Sequence, residues 1–201
     1  MKLYYGKGAC SLAPHIVMRE AGIPVELEPV NIGTGHYRGG DFKNVNPKGY
    51  VPTLELKDGS ILTEGVVITQ YLADLKPETK LIPPAGTMER YRCMEWQVFL
   101  TSELHKSFSP LFSPTTPDAT RELTTKNLHK RFAFLNEKLG SGPYLMGETF
   151  TVADAYLFTI LSWPALVKLD MSAYGNLAAF QERVRARPAV QEALRAEGLL
   201  K

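Results

Sequence analysis

The sequence changes its pattern near residue 80, and this change limits the possible folds more than any other feature. Before residue 80, short apolar runs alternate with turn residues, as strands do; the runs cover 2–5, 25–30, 53–56 and 60–62. Apolar residues at helical spacing occupy 11–21 and 66–72. The order β-α-β followed by β-β-α therefore predicts a small α/β domain over residues 1–80.

The second half of the chain has no convincing pair of strands and is predicted to be helical. Apolar periodicity indicates a long helix over 87–108 and later helices over 121–139, 151–161, 176–187 and 188–197. Pro110, Pro114 and Pro117 interrupt the chain after the long helix. A proline-rich linker at 76–86 separates the halves, so we expect an all-α domain over 87–201.

Composition excludes several classes of protein. The 23 basic and 21 acidic residues give a net charge of +2, which offers no electrostatic reason to expect nucleic acid as a partner. The longest charge-free apolar stretch, 155–167, is shorter than the roughly 20 residues that a membrane span needs. Two cysteines cannot form a disulfide framework, and the histidines and carboxylates lack metal-ligand spacing. We expect a cytoplasmic protein that needs neither membrane nor metal.

Cys10 lies between the first predicted strand and the first predicted helix, which Ser11 is placed to cap. A free cysteine has a pKa of about 8.5 and is about 3% thiolate at pH 7, and a helix N-terminus lowers that pKa. Position 13 is Ala13, which excludes a Cys-x-x-Cys dithiol motif. Cys10 is therefore a candidate nucleophile, and a buried, unreactive thiol is the alternative interpretation.

Two further motifs stand before a predicted strand and a predicted helix. Pro52 precedes the third strand, and a cis Val51–Pro52 bond there would expose the backbone of Val51 to an extended ligand. Glu64 and Gly65 open the second helix, where N–H groups bind a carboxylate and Glu64 can pair with an ammonium group. Taken singly, each motif is also compatible with an ordinary loop proline or an ordinary helix cap.

Together, these motifs and the order of elements resemble the glutathione transferase family. The segments that carry the resemblance are Asn46-Pro-Lys-Gly-x-Val-Pro52 and Leu62-Thr-Glu-Gly65. Two others, at 4–12 and 102–106, are similar to the bacterial beta class, and the resemblance extends over residues 1–201. It implies a thioredoxin-like N-terminal domain, an all-helical C-terminal domain and a homodimer.

The resemblance also implies the chemistry and the residues of the site. Glutathione would be the co-substrate, with its sulfur at Cys10 and its cysteinyl part on the backbone of Val51 beside a cis Pro52. Glu64 and Gly65 would hold its γ-glutamyl end.

Three further residues enter through the same resemblance. Ser11 would make a polar contact near the sulfur, and His105 and Lys106 would face the thiol and the glycyl or electrophile side. A cationic histidine and lysine there would favour a thiolate by charge.

The chain departs from the family pattern at two places. The segment 31–41 is glycine-rich where the family often carries lysines, so it is expected to be a loop in which His36 or Arg38 substitutes for them. Val98 stands where the family often has an asparagine that reaches across the dimer. Both departures predict weaker binding of glutathione.

The sequence therefore supports two functions. The first is a glutathione transferase that conjugates a small hydrophobic electrophile, or performs thiol–disulfide exchange through Cys10, with peroxidase activity as a possible side reaction. The alternative is a non-catalytic member of the same fold that binds ligands or proteins. Cys10, Glu64 and His105 together favour the enzyme. The long helix carries Met94, Trp96 and Phe99, more apolar surface than one small domain covers, which also predicts a dimer.

Overall fold

The structure, a computed structural model, describes residues 1–200 and separates them into two compact units. The first unit contains residues 1–82 and the C-terminal segment that starts at Ala186, and the second contains residues 83–185. The strands are β1 (Lys2–Tyr5), β2 (Glu26–Asn31), β3 (His36–Tyr37), β4 (Gly40–Asp41), β5 (Thr53–Glu55) and β6 (Ile61–Thr63).

Helices make up most of the remainder. They are α1 (Leu12–Glu20), α2 (Gly65–Asp74), α3 (Met88–Phe99), α4 (Lys106–Phe112), α5 (Asp118–Lys138), α6 (Val152–Ile160), α7 (Gly175–Arg185) and α8 (Pro188–Ala196). A π-helical segment occupies Leu100–His105, and short 3-10 turns occupy Phe42–Asn44, Pro77–Thr79, Leu139–Ser141 and Pro164–Val167. Within residues 1–200, no helix is both long enough and apolar enough to cross a membrane.

The sheet of the first unit is built around β1. The strand order is β4-β3-β2-β1-β5-β6, with β1 parallel to β2 and antiparallel to β5. Leu3 pairs with Leu27 on one side and with Leu54 on the other, and both Leu3 and Leu54 are fully buried. The predicted order of β-α-β followed by β-β-α is therefore confirmed.

The C-terminal helix α8 belongs to the first unit. The all-α domain predicted over 87–201 included this helix, whereas the structure packs it against α1. Arg187, just before α8, donates to both carboxylate oxygens of Glu20 on α1, at 2.6 and 2.9 Å. Apolar periodicity predicts that one face of a helix is buried, but not which domain covers that face.

The segment 31–41 forms a hairpin where a loop was predicted. Val30 of β2 pairs with Tyr37, and His36 pairs with Asp41. A Cβ atom at Gly39 would fall 2.5 Å from the ring of Tyr37, so a glycine lets the turn close against that ring. Strands of two residues are too short to show apolar alternation, which explains why the pattern did not reveal them.

The long helix predicted over 87–108 is present and continues four residues further. It begins after Thr87, whose side chain accepts a hydrogen bond from the Arg90 N–H at 3.2 Å. It then passes through α3, the π-helical segment and α4, and ends at Phe112. Pro110 lies inside α4 instead of ending it. A proline removes a single N–H donor, and the helix stops two residues later, where Ser113 is extended.

The second unit has α6 at its centre, with all of its residues buried. Thr151 and Asp154 form a capping box at its start, and Asp154 also accepts from the Leu145 N–H at 2.8 Å. Burial raises the pKa of Asp154 to about 6 even though these hydrogen bonds act in the opposite direction. The box therefore has a structural role, because its side chains are used at the helix start.

Candidate functional site

The loop between β1 and α1 is a tight turn closed by Ser11. Its Oγ accepts from the Gly6 N–H at 3.1 Å and donates to the Gly6 carbonyl at 3.2 Å, and the side chain is fully buried. Ser11 makes no side-chain cap for α1, so that prediction is wrong. The expected contact between Ser11 and a ligand finds no support either, because its hydroxyl is enclosed in the turn.

Cys10 is partly exposed at the end of this turn, and its Sγ donates to the Val51 carbonyl at 3.2 Å. The Val51–Pro52 peptide bond is cis, as predicted. The structure thus brings together a thiol and a backbone segment that lie 41 residues apart in the sequence. Cys93, in contrast, is fully buried in the second unit, and burial raises the pKa of its thiol to about 11.

Asn46 holds the Val51 segment in place, a role that was not predicted. Its buried amide nitrogen donates to the Tyr50 carbonyl at 2.9 Å and to the Thr53 hydroxyl at 3.0 Å, on either side of the cis bond. Its amide oxygen accepts from the Lys48 N–H at 3.1 Å. An asparagine whose side-chain oxygen accepts from the N–H two residues further on is a common turn signal, so the sequence did carry a clue.

Glu64 and Gly65 lie beside the same turn. The backbone of Glu64 has φ 67° and ψ 112°, a conformation that residues other than glycine rarely adopt. Residues held in such backbone conformations cluster at functional sites. A Cβ atom at Gly65 would lie 3.4 Å from the Pro52 ring, so α2 begins against the cis-proline turn. The side chain of Glu64 makes no cap hydrogen bond, which excludes an ordinary capping role.

Lys48 forms an ion pair with the carboxylate of Glu64. Its Nζ lies 2.7 Å from Glu64 Oε1 and donates to the Thr63 hydroxyl at 3.1 Å, and both members of the ion pair are exposed. The sequence predicted an ammonium partner for Glu64 but did not identify this lysine. To bind Glu64, an ammonium group of a ligand would have to displace Lys48 from the carboxylate or share the carboxylate with it. The first-turn N–H groups of α2 add partial positive charge that suits a ligand carboxylate.

A buried, hydrogen-bonded pair of side chains lies beside the turn between β1 and α1. His15 on α1 has its Nδ1 2.9 Å from Glu197 Oε1, and both side chains are fully buried. Glu197 follows α8, so the C-terminal segment contributes to the environment of the Cys10 loop. The complete burial of His15 indicates a structural role.

The second unit places His105 at the end of the π-helical segment. Its Nδ1 lies 2.6 Å from the Tyr156 hydroxyl, and its ring centroid is 4.8 Å from that of Trp163. Burial, assisted by the charge of Lys106, lowers the pKa of His105 to about 4, so the imidazole is neutral at pH 7. The expectation that His105 would act by positive charge is therefore wrong. The contacts of His105 with Tyr156 and Trp163 were not predicted, because the apolar spacing around these two residues is equally typical of core packing.

Among residues 1–200, no group of three or more histidine, cysteine or acidic side chains could hold a metal ion. The chemistry available in the first unit is that of a thiol, an accessible backbone segment, an acidic side chain and a helix N-terminus.

Comparison with known proteins identifies the family of this chain. Residues 8–75 match the family model of the glutathione S-transferase N-terminal domain, and residues 99–188 match that of the C-terminal domain. The chain is 46% identical over 200 residues to glutathione S-transferase GstA from Escherichia coli O157:H7, covering 99% of this chain and 100% of that protein.

Two solved structures are similar over the whole chain. A bacterial beta-class glutathione S-transferase from Sphingomonas chungbukensis has a TM-score of 0.96 and 45% identity, covering 100% of both chains. A sphingomonad glutathione S-transferase complexed with glutathione has a TM-score of 0.95 and 44% identity, covering 99% of this chain and 100% of that one. The chain therefore belongs to the glutathione S-transferase family, and within it to the bacterial beta class.

Proposed function

We propose that this protein binds glutathione in its first unit and uses Cys10 in glutathione-dependent transfer reactions. The observation that carries the proposal is the position of the Cys10 thiol, 3.2 Å from the backbone of Val51 at a cis proline. An extended peptide that pairs with Val51 would bring its own sulfur next to Cys10. Glutathione is such a peptide, and the sphingomonad relative is complexed with it.

The γ-glutamyl end of glutathione carries one ammonium and one carboxylate group, and the start of α2 suits both. The carboxylate would accept from first-turn N–H groups, beginning at Gly65. The ammonium would bind Glu64 and compete there with Lys48, which lies 2.7 Å from the carboxylate. This competition supports the prediction of modest affinity for glutathione.

Two reactions follow from a thiolate at this position. In conjugation, the glutathione sulfur bonds to an electrophilic carbon, the leaving group departs with its electron pair, and the thiol proton passes to solvent. In exchange, the Cys10 thiolate attacks a glutathione mixed disulfide and releases the other thiol as a thiolate. A second glutathione thiolate then attacks the Cys10 adduct, which yields oxidised glutathione and restores Cys10.

His105 and Lys106 remain predicted contributors toward the thiol and a small hydrophobic electrophile. Lys106 brings the positive charge, whereas neutral His105 can act only through hydrogen bonds. The aromatic rings of Phe108, Phe112 and Trp163 pack together with His105, and Phe112 is half exposed, which suits an apolar substrate. An enzyme explains Cys10, Glu64 and family membership together, whereas a non-catalytic binding protein would not need the thiol.

The protein is also proposed to be a cytoplasmic homodimer. Trp96, Phe99 and Phe134 form a cluster of rings 5.6–6.0 Å apart on α3 and α5, and Phe134 is 49% exposed. Val98, also on α3, is 59% exposed. A second subunit would cover this apolar face. A reducing cytoplasm suits two free cysteines.

The Cys10→Ala variant tests the proposal, with Cys93→Ala as the control for removal of a thiol. Exchange should fall to the solution rate, because the covalent intermediate cannot form. Conjugation should fall by about 100-fold or less, because bound glutathione can still ionise. Incubation of the wild-type protein with oxidised glutathione should give a mass adduct on Cys10. Wild-type exchange activity in Cys10→Ala, or an adduct on Cys93 alone, would refute the covalent route.

A further inference from the structure

The backbone of Lys48 is held in a fixed position beside Glu64. Lys48 lies in a turn that is closed by the Gly49 N–H, which donates to the Asn46 carbonyl at 2.8 Å. The buried side chain of Asn46 also accepts from the Lys48 N–H at 3.1 Å. These two hydrogen bonds fix the backbone from which the Lys48 side chain extends, although that side chain is 52% exposed.

The ammonium group of Lys48 joins this turn to the end of β6 and the start of α2. Its Nζ donates to the Thr63 hydroxyl at 3.1 Å and to Glu64 Oε1 at 2.7 Å. Because two acceptors of the protein hold the group, the ion pair has a defined geometry. Exposed ion pairs contribute little on average, and those with a defined geometry contribute most.

The carboxylate of Glu64 is not used by the helix that it precedes. Its backbone has φ 67°, and its side chain makes no cap hydrogen bond with α2. Such a backbone conformation costs free energy and persists only where the surrounding structure imposes it. The carboxylate therefore serves a cation, and in the structure that cation is Lys48.

Lysine and the γ-glutamyl end of glutathione offer this carboxylate the same chemical group. Both carry a primary ammonium with three N–H donors. Binding of glutathione at Glu64 therefore exchanges one ion pair for another, so the gain from the ammonium of the ligand is reduced by the loss of the Lys48 pair. A thiol peptide without the α-amino group leaves the Lys48 pair intact and does not leave Glu64 unpaired, which would cost affinity.

We propose that Lys48 is a specificity-determining residue, which stands in for the ammonium group of the ligand on Glu64 and so lowers the selectivity of the site for the α-amino group. The ligands that this admits are thiol peptides whose γ-glutamyl part is replaced by a dicarboxylic acyl group without the amine. This inference rests on the proposed binding of glutathione at Glu64. All of the contacts that carry it lie within the first unit.

The affinities for two thiol-blocked ligands test the proposal. S-methylglutathione carries the α-amino group, S-methylated glutaryl-cysteinylglycine differs only in lacking it, and the methyl group prevents a disulfide with Cys10. The selectivity ratio is the Kd of the second ligand divided by that of the first, measured by calorimetry on the whole protein. We expect Lys48→Met to raise this ratio by about 2- to 5-fold, the effect of one exposed ion pair. An unchanged ratio would overturn the proposal, because Lys48 and the ligand would then share the carboxylate.

Two further variants separate the ion pair from the net charge of the turn. Lys43→Met removes an equal charge nearby, since a Cβ atom at Gly49 would lie 3.8 Å from the Lys43 side chain, and it should leave the ratio unchanged. Lys48→Arg keeps a cation and should retain the wild-type ratio. A rise in Lys43→Met or in Lys48→Arg as large as that in Lys48→Met would overturn the specific role of the Lys48 ion pair.

A Glu64→Gln background distinguishes failure of this inference from failure of the proposed glutathione site. Glu64→Gln alone should lower the ratio, because the α-amino group loses its carboxylate, and Lys48→Met should then change the ratio no further. An equal rise from Lys48→Met in both backgrounds would overturn the idea that Lys48 acts through Glu64 and would leave the proposed site intact. A ratio that Glu64→Gln does not change would instead show that Glu64 does not bind the ammonium group, which overturns the proposed site and this inference with it.

Discussion

The carboxylate of Glu197 accepts a hydrogen bond from the backbone N–H of Gly8 at 3.0 Å, across a sequence separation of 189 residues. Gly8 belongs to the loop that ends in Cys10, and the other oxygen of Glu197 is bonded to His15. The end of the chain therefore holds the turn that presents the thiol. The side chain of Leu199 also lies near this loop, since a Cβ atom at Gly8 would be 3.4 Å from it.

Glu197→Gln should destabilise the first unit. Gly8 N–H and His15 Nδ1–H are both donors, and an amide offers only one oxygen to replace two. We expect the free energy of unfolding to fall by about 1–3 kcal/mol, the penalty for an unsatisfied buried donor. Denaturant titration measures it. Glu192→Gln, at an exposed position of α8, is the control and should change little. Equal stability of both variants would contradict a supporting role for Glu197.

The two thiols should differ strongly in reactivity. Cys10 is partly exposed, whereas Cys93 is fully buried with a pKa raised to about 11. Because the thiolate is the reactive form, we expect an alkylating agent at pH 7 to modify Cys10 at least about 100-fold faster than Cys93. Peptide mapping by mass spectrometry at successive times gives both rates. Slow labelling of both cysteines at one rate would refute a nucleophilic Cys10.

Two substitutions at Glu64 should separate binding from backbone strain. Glu64→Ala and Glu64→Gly both remove the carboxylate, so each should weaken glutathione binding by about 1.5–3 kcal/mol, the range for a hydrogen bond to a charged group. Only glycine adopts φ 67° without strain, so Glu64→Gly should be more stable than Glu64→Ala by roughly 1 kcal/mol.

Calorimetric titration and thermal unfolding check the two expectations about Glu64 separately. Lys48→Met is a third variant for this experiment, since removal of the competing ammonium group should tighten the binding of glutathione. Unaltered affinity in both Glu64 variants would exclude that residue from the site.

Light scattering at micromolar concentration should give twice the 22.4 kDa mass of the chain. Phe134→Lys places a charge on the half-exposed apolar face of α5 and should shift the protein toward monomer. Glu182→Lys, at an exposed position of α7, should not. A wild-type monomer would contradict the proposed homodimer.

Acid should destabilise the protein partly through His105. Its pKa is about 4 in the folded protein and about 6.5 when unfolded, so between these values only the unfolded chain binds the proton. The resulting stability is present above pH 6.5 and is lost as the pH falls toward 4, by at most about 3 kcal/mol.

Asp154 acts in the opposite sense. Because its pKa is raised to about 6, its contribution to stability is greatest at low pH and is lost as the pH rises through 6. Comparing the wild-type protein with His105→Gln cancels this effect, since Asp154 is common to both. Denaturant titrations from pH 7 to 4 should show a steeper loss in the wild-type protein. Parallel curves would contradict a buried neutral His105.

Local patterns in the sequence were sufficient for most of the elements and for selecting the candidate site residues. Strand runs, helical spacing and turn residues predicted the order of the elements, because each depends on neighbours in the chain. Cys10 at a helix start, Val51–Pro52 before a strand, and Glu64 before a helix were recognisable for the same reason. The cis bond and the contact of Cys10 with Val51 agree with these predictions.

Tertiary structure alone decided which partners these residues have. Ser11 turns inward to Gly6, and Lys48 covers Glu64, because the folded chain puts those atoms within bonding distance. The assignment of α8 to the first unit depends on packing that periodicity cannot specify.

The charge of His105 shows the same limit most clearly. The sequence placed a histidine beside a lysine, which alone suggests a cationic pair. Burial beside Tyr156 and Trp163 keeps the ring neutral instead, since removing water disfavours the charged form. The residue types and their order were therefore determined by the sequence, whereas the protonation state of His105 and its hydrogen-bond partner were determined by contacts between residues about 50 positions apart, which no local pattern encodes.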